Sequence, residues 1–147
     1  MLQLKKIVKE SDFDEKLTRE SFVDFLFTHL DKFGDPKQAI NKCIDYAFGK
    51  ENAKGGFCIA AFYDGKLVGA LIMNETGMGG YIPENVLVYV AVDASYRGKG
   101  FGREIVEKSI AMTNGDVKLH VEYDNPAKRL YERIGFTTKY AEMRFNK

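Results

Sequence analysis

The chain has 147 residues, 45% of them hydrophobic and 13% aromatic, and its 22 Lys+Arg against 21 Asp+Glu leave a formal charge of +1. That length suits one domain, residues 1–147, with ample apolar material for one core. So even a balance gives no global reason to expect nucleic acid, a membrane surface or a polybasic partner, and any electrostatic function must be local.

The opening LQLKKIVK alternates enough to predict a first strand. SFVDFLFTHLDKF then sets Phe22, Phe25, Leu26, His29, Leu30 and Phe33 on one helical face, ended by Gly34. Asp35 reads as the cap and Pro36 as the first position of a second helix. Ile40, Cys43, Ile44 and Ala47 form its apolar stripe, and Gly49 stops it. From Gly56 the period changes to two. FCIAAFY and LVGALIM flank Asp64-Gly65, the signature of a tight hairpin. ETGMGGYIP is a loop, and NVLVYVAV, almost without polar residues, reads as a central strand buried on both faces. A third helix (GREIVEKSIAMTN), a strand (VKLHVE), a short helix ended by Gly135 and a last strand (FTTKYAEMRF, with Ala141, Met143 and Phe145 on one face) complete the order. The class is α/β, of the α+β type.

The charged N-terminus MLQLKKIVKE does not read as a signal peptide, and no stretch is apolar enough to span a bilayer. Cys43 and Cys58 lie far from any CxxC spacing and read as reduced, packed thiols of a cytosolic protein. His29 and His120 are too few and too scattered for zinc, so no metal is expected.

Between the apolar strand and the third helix stands YRGKGFGRE, with Gly98, Gly100 and Gly102 at alternate positions among Arg97, Lys99 and Arg103. Such a turn frees backbone N–H groups, and the helix beginning near Gly102 adds its own unpaired amides and positive dipole end, so the stretch is suited to an anion. A P-loop is excluded, because no GK-Ser/Thr ending follows. A dinucleotide fingerprint has a candidate acid in Glu122. However, residues 93–97 separate the strand from the glycines, and too little chain follows for a second half-sheet.

Val90-Ala91-Val92 followed by Arg97-Gly98-Lys99-Gly100-Phe101-Gly102, and downstream Ala127, Leu130, Tyr131, Gly135 and Phe136, together resemble the GNAT superfamily of N-acetyltransferases. The resemblance covers nearly the whole chain. It implies a mixed, mostly antiparallel central sheet, splayed at the middle strands and flanked by about four helices. It also names the anion as the pyrophosphate of acetyl-CoA, the acyl donor, which places Arg97, Gly98, Lys99, Gly100, Gly102 and Arg103 around it. Val90, Ala91 and Val92 are implied on the donor side of the strand, with the Val90 N–H facing the thioester carbonyl as an oxyanion donor. Lys128 and Asn125 are implied as neighbours of the donor at the last helix. The family's usual Asn position holds Asp124, so either residue fills it, and Asn125 also suits a helix cap.

By the same resemblance Tyr131 stands beside the sulfur as general acid. A phenol near 10 and a thiol near 8.5 make full proton transfer uphill by roughly 2 kcal/mol, so a hydrogen bond to the developing thiolate is the easier role. Many members place a base at the start of the central strand, and Glu84 is the candidate here, slightly early in PENVLVYV. The expected activity is direct transfer of an acetyl group to a primary amine, on a small molecule or a peptide or protein, in a ternary complex. The alternative is a non-catalytic acyl-CoA-binding sensor of the same fold. A homodimer is compatible with the family.

Overall fold

The computed structural model describes residues 1–147, whose five strands form one sheet in chain order. β1 (Gln3–Ile7), β2 (Gly56–Tyr63), β3 (Lys66–Glu75) and β4 (Asn85–Val92) run antiparallel to their neighbours, and β5 (Val117–Leu119) lies parallel to β4. Asp64 and Gly65 make the β2–β3 hairpin, where Tyr63 faces Lys66. Four helices, α1 (Arg19–Leu30), α2 (Lys37–Ala47), α3 (Phe101–Ala111) and α4 (Ala127–Ile134), accompany the sheet, as expected.

Strand alternation sorts the apolar residues into two layers. On one face Cys58, Ala60, Ala70 and Ile72 pack against Phe22, Leu26, Ile40 and Ile44 of α1 and α2. On the other, Ile59, Ala61, Leu71 and Met73 pack against Ile105 and Val106 of α3 and Tyr131 of α4. Each of the fully buried aliphatic side chains contributes about 1.5–3 kcal/mol. A Cβ on Gly69 would stand 2.4 Å from Ile105 Cδ1, so the missing side chain lets α3 close onto β3.

Several expectations need correction. NVLVYVAV is fourth of five strands, not central, and only alternate residues are buried: Asn85, Leu87, Tyr89 and Ala91. Its regular alternation breaks at Val88. Leu87 pairs with Met73 and Tyr89 with Ile72, leaving Val88 bulged and 36% exposed. Leu87 consequently packs on the α3/α4 side and Tyr89 on the α1/α2 side. VKLHVE forms a strand only at Val117–Leu119. FTTKYAEMRF forms no strand, and Tyr140, Met143 and Phe145 are exposed, because alternation supplies a face but not the partner edge a strand requires. Asp35 does not cap α2. Pro36 occupies the cap position and Asp35 turns elsewhere. No helix is long and apolar enough to cross a membrane.

Candidate active site

The two parallel strands meet only at their starts. Asn85 faces Val117, Val86 faces Lys118 and Leu87 faces Leu119, and beyond the bulge the ladder stops. Asn85 secures the closed end, its Nδ2 donating to Asn114 O at 2.8 Å and Asp116 O at 3.2 Å. Glu84 adds a second tie, its Oε1 accepting from the Asp116 amide at 3.0 Å. That hydrogen bond comes first among the causes that hold the Glu84 carboxyl below its ordinary range.

Past the bulge, the open edge of β4 exposes backbone. The Asp93 amide donates to Val68 O on β3 at 2.8 Å. Strand alternation then turns Ala91 toward β3 and directs the N–H and C=O groups of Val90 and Val92 into the gap. The Arg97 Nε, 3.3 Å from Val92 O, reaches that carbonyl from the open side.

The glycine turn lies at the top of this gap. Gly98 and Gly100 have φ of +80° and +82°, left-handed conformations that favour glycine, and a Cβ on either would meet nothing within 4 Å. Gly100 is the N-cap of α3 and offers no side chain to its first-turn amides, which are left without a side-chain cap. An anion has room here, and donors to receive it. Gly102 differs from its neighbours. Its added Cβ would come within 3.2 Å of Leu130 Cδ2 and 3.6 Å of Val92 Cγ2, so it serves the approach of α3 to α4 and β4.

Two of the turn's three charged residues have partners. Arg97 Nη2 donates to His29 O at 2.8 Å, joining the turn to the end of α1. Arg103 pairs with Glu107 at 2.8 Å. Lys99 is exposed. Asp93, at the end of β4, accepts from the Ser95 amide at 2.8 Å, and His29 Nε2 stands 3.8 Å from its other oxygen.

Tyr131 projects from α4 into the layer beneath β4, 8% exposed, its ring edge-on to Phe136 at 5.9 Å. Burial pushes the phenol up to about 12. No group of the chain takes a hydrogen bond from its hydroxyl, which is not among the sealed, unpartnered polar atoms. Asn125 Oδ1 accepts from the Ala127 amide at 2.9 Å and so caps α4. Lys128 pairs with Glu132 at 3.2 Å, and both line a hollow of about 440 Å³ with Tyr123 and Asp124.

The fold thus gathers the turn, the free edge at Val90 and Val92, and Tyr131 around one splayed gap. Ala91 sits with its backbone toward β3. Glu84 lies six residues before Val90, about 20 Å along an extended strand, and is engaged at the closed end. Two features had no signal in the sequence. The bulge at Val88 is hidden inside an unbroken apolar run. The hydroxyl of Tyr89 donates to Asp35 Oδ2 at 2.5 Å, across 54 residues of chain.

Residues 15–136 match the model of the acetyltransferase (GNAT) family. The chain belongs to the GNAT family. The resemblance seen in the two motifs is borne out, as is the mixed sheet flanked by four helices. Among relatives of this GNAT chain, N-alpha-acetyltransferase 30 of Xenopus laevis is 36% identical over 84 residues, 54% of this chain and 31% of that protein. The chain therefore aligns with about a third of that relative's length. Among solved structures, the aminoglycoside N-acetyltransferase AAC(6')-Iy in complex with CoA superposes with a TM-score of 0.69 at 13% identity, over 100% of this chain and 95% of that one. A ribosomal-protein-alanine N-acetyltransferase from Brucella melitensis biovar Abortus 2308 gives 0.63 at 15% identity, with both chains fully covered. At such identities these neighbours show the fold.

Proposed function

We propose that this GNAT protein transfers an acetyl group from acetyl-CoA to a primary amine, directly, within a ternary complex. The observation that carries this reading is the open edge of β4 between an uncapped helix N-terminus and the unpartnered Tyr131 hydroxyl. The residues present fit the donor: Gly98 and Gly100 leave open space where a side chain would stand.

Acetyl-CoA supplies an activated acyl group as its thioester. The amides at the start of α3 and in the turn at Gly98 and Gly100 hold its pyrophosphate, with Lys99 contributing unpaired charge. Val90 and Val92 offer backbone groups to the arm that leads to the thioester. Val90 N–H donates to the carbonyl oxygen as negative charge develops there, a stabilisation of the oxyanion-hole kind. The amine nitrogen forms the new C–N bond, the C–S bond breaks, and the amine's proton leaves to water. With its phenol near 12 against a thiol near 8.5, Tyr131 would lose about 5 kcal/mol by giving up its proton. It therefore serves the leaving sulfur as a hydrogen-bond donor.

Glu84 is engaged at the closed end of the sheet, so we assign it no proton transfer. A covalent relay through cysteine also lacks support. Cys43 and Cys58 are free thiols on the α1/α2 side, and burial pushes Cys43 up to about 12 and Cys58 higher still. Such thiols suit a reducing cytosol, where we place the protein.

Release of CoA thiol from acetyl-CoA, followed over polyamines, amino acids, aminoglycosides and peptides with free α-amines or lysines, tests the reading. Release stimulated by an acceptor is expected. Tight CoA binding with no stimulation by any amine would favour the sensor and overturn the enzyme.

A further inference from the structure

Tyr89 is the residue that the bulge at Val88 sends to the α1/α2 side, immediately before the free backbone of Val90. Its ring is packed to 9% exposure, and its hydroxyl holds the carboxylate of Asp35 on the connection between α1 and α2. Asp35 is itself exposed. It does no capping, since α2 begins at Pro36 without a side-chain cap. It forms no ion pair either, and Lys37, two residues on, turns instead to Asp24 at 2.8 Å. Only Oδ2 of Asp35 has a hydrogen-bond partner. A carboxylate positioned by the residue that precedes Val90, with one oxygen unused and facing solvent, is suited to a cation.

Arg144 in the segment after α4 pairs with Glu142 at 2.6 Å and also lies within the field of Asp35. A cationic group of the chain itself thus feels the Asp35 charge.

Resting on the acetyl-transfer reading, we propose that Asp35, oriented by Tyr89, binds a second positive charge on the acceptor, and that the acceptor is a dicationic or polycationic amine. α3 and Tyr131 pack on the other face of the sheet, whereas Tyr89 packs with α1 and α2, which leaves the α1/α2 side of the gap for the acceptor. Asp35 is ill suited to hold the attacking nitrogen itself, because a carboxylate favours the ammonium form and attack requires the neutral amine. The length of the Tyr89 side chain separates the carboxylate from the β4 backbone. A diamine meets both demands, with one nitrogen neutral in the gap and the other charged at Asp35.

The test compares 1,4-diaminobutane and spermidine with n-butylamine as acceptors for the wild type, D35N, D35E and Y89F. The wild type should prefer the two polyamines to n-butylamine by about tenfold in kcat/KM, the scale of one charge-assisted hydrogen bond. D35N should abolish that preference through the acceptor KM, with the acetyl-CoA KM changed less than about twofold. D35E should restore part of it, and Y89F should lower it less than D35N does. Thermal melts of each variant register any folding defect, and a defect alone cannot remove discrimination between two acceptors. Equal use of n-butylamine and the polyamines by the wild type, or a D35N that keeps the preference, would overturn the inference. So would turnover of peptides with one α-amine while all three probes are ignored. Failure of every amine in the wider panel would instead overturn the acetyl-transfer reading.

Discussion

Arg97 donates from Nη2 to the main-chain oxygen of His29 at 2.8 Å, tying the first residue of the glycine turn to the last turn of α1. Its Nε reaches Val92 O at 3.3 Å, so one guanidinium spans a helix end and the open edge of β4. Lysine, whose donors all sit on one nitrogen, does not span the two contacts made by Nε and Nη2. R97K should therefore resemble R97A. Each should raise the acetyl-CoA KM about fivefold, equivalent to about 1 kcal/mol, as measured by steady-state kinetics. A fully functional R97K would show that charge alone matters at this position.

Tyr131→Phe should lower kcat about a hundredfold, while CoA affinity by calorimetry changes less than about twofold. Titration of the same phenol also affects stability. Its folded value of about 12 lies above the ordinary 10, so the fold favours the neutral form. That contribution is complete below about pH 10 and is lost as pH rises from there toward 12. Denaturant melts across this window should fall less steeply for Tyr131→Phe than for the wild type.

The three glycines of the turn should separate in kinetics. Gly98→Ala and Gly100→Ala place a side chain at positive φ, costing about 1–2 kcal/mol of local strain, and should act on the acetyl-CoA KM. Gly102→Ala pushes a methyl group to 3.2 Å from Leu130 Cδ2, one residue before Tyr131, and should act on kcat. Identical kinetic signatures for all three would contradict this division.

Glu84→Gln tests the closed end of the sheet. Its carboxylate accepts from Asp116 N and is held below its ordinary range, so its contribution is present above the unfolded value and lost as pH falls through the folded one. The variant should melt at a lower temperature at neutral pH, and the difference should shrink in acid. Its kcat should stay within about twofold of wild type, whereas a hundredfold loss would restore Glu84 as a base.

Local patterns made most of this fold legible. The Asp64-Gly65 hairpin, the alternation of β2 and β3 and the stripe of Ile40, Ile44 and Ala47 each depend on near neighbours in the chain. The glycine turn that opens α3 was equally legible, because its geometry resides in its own backbone. What escaped depends on partners distant in sequence. FTTKYAEMRF alternates like a strand, yet a strand forms only where an edge receives it. Val88 bulges because β3 and β4 differ in register on its two sides, and no property of Val88 itself announces that. The Tyr89–Asp35 hydrogen bond joins residues 54 apart, and Asp35 ahead of Pro36 has a plausible local use as a cap that the fold does not adopt.

The central claim is that the splayed gap receives acetyl-CoA between the glycine turn and Tyr131. A crystal structure of the protein soaked with CoA tests it most directly. The pyrophosphate should accept hydrogen bonds from backbone amides between Gly98 and Arg103, with the sulfur in hydrogen-bond reach of the Tyr131 hydroxyl and the arm along Val90 and Val92. CoA bound with its pyrophosphate away from the turn, or its sulfur remote from Tyr131, would contradict the account.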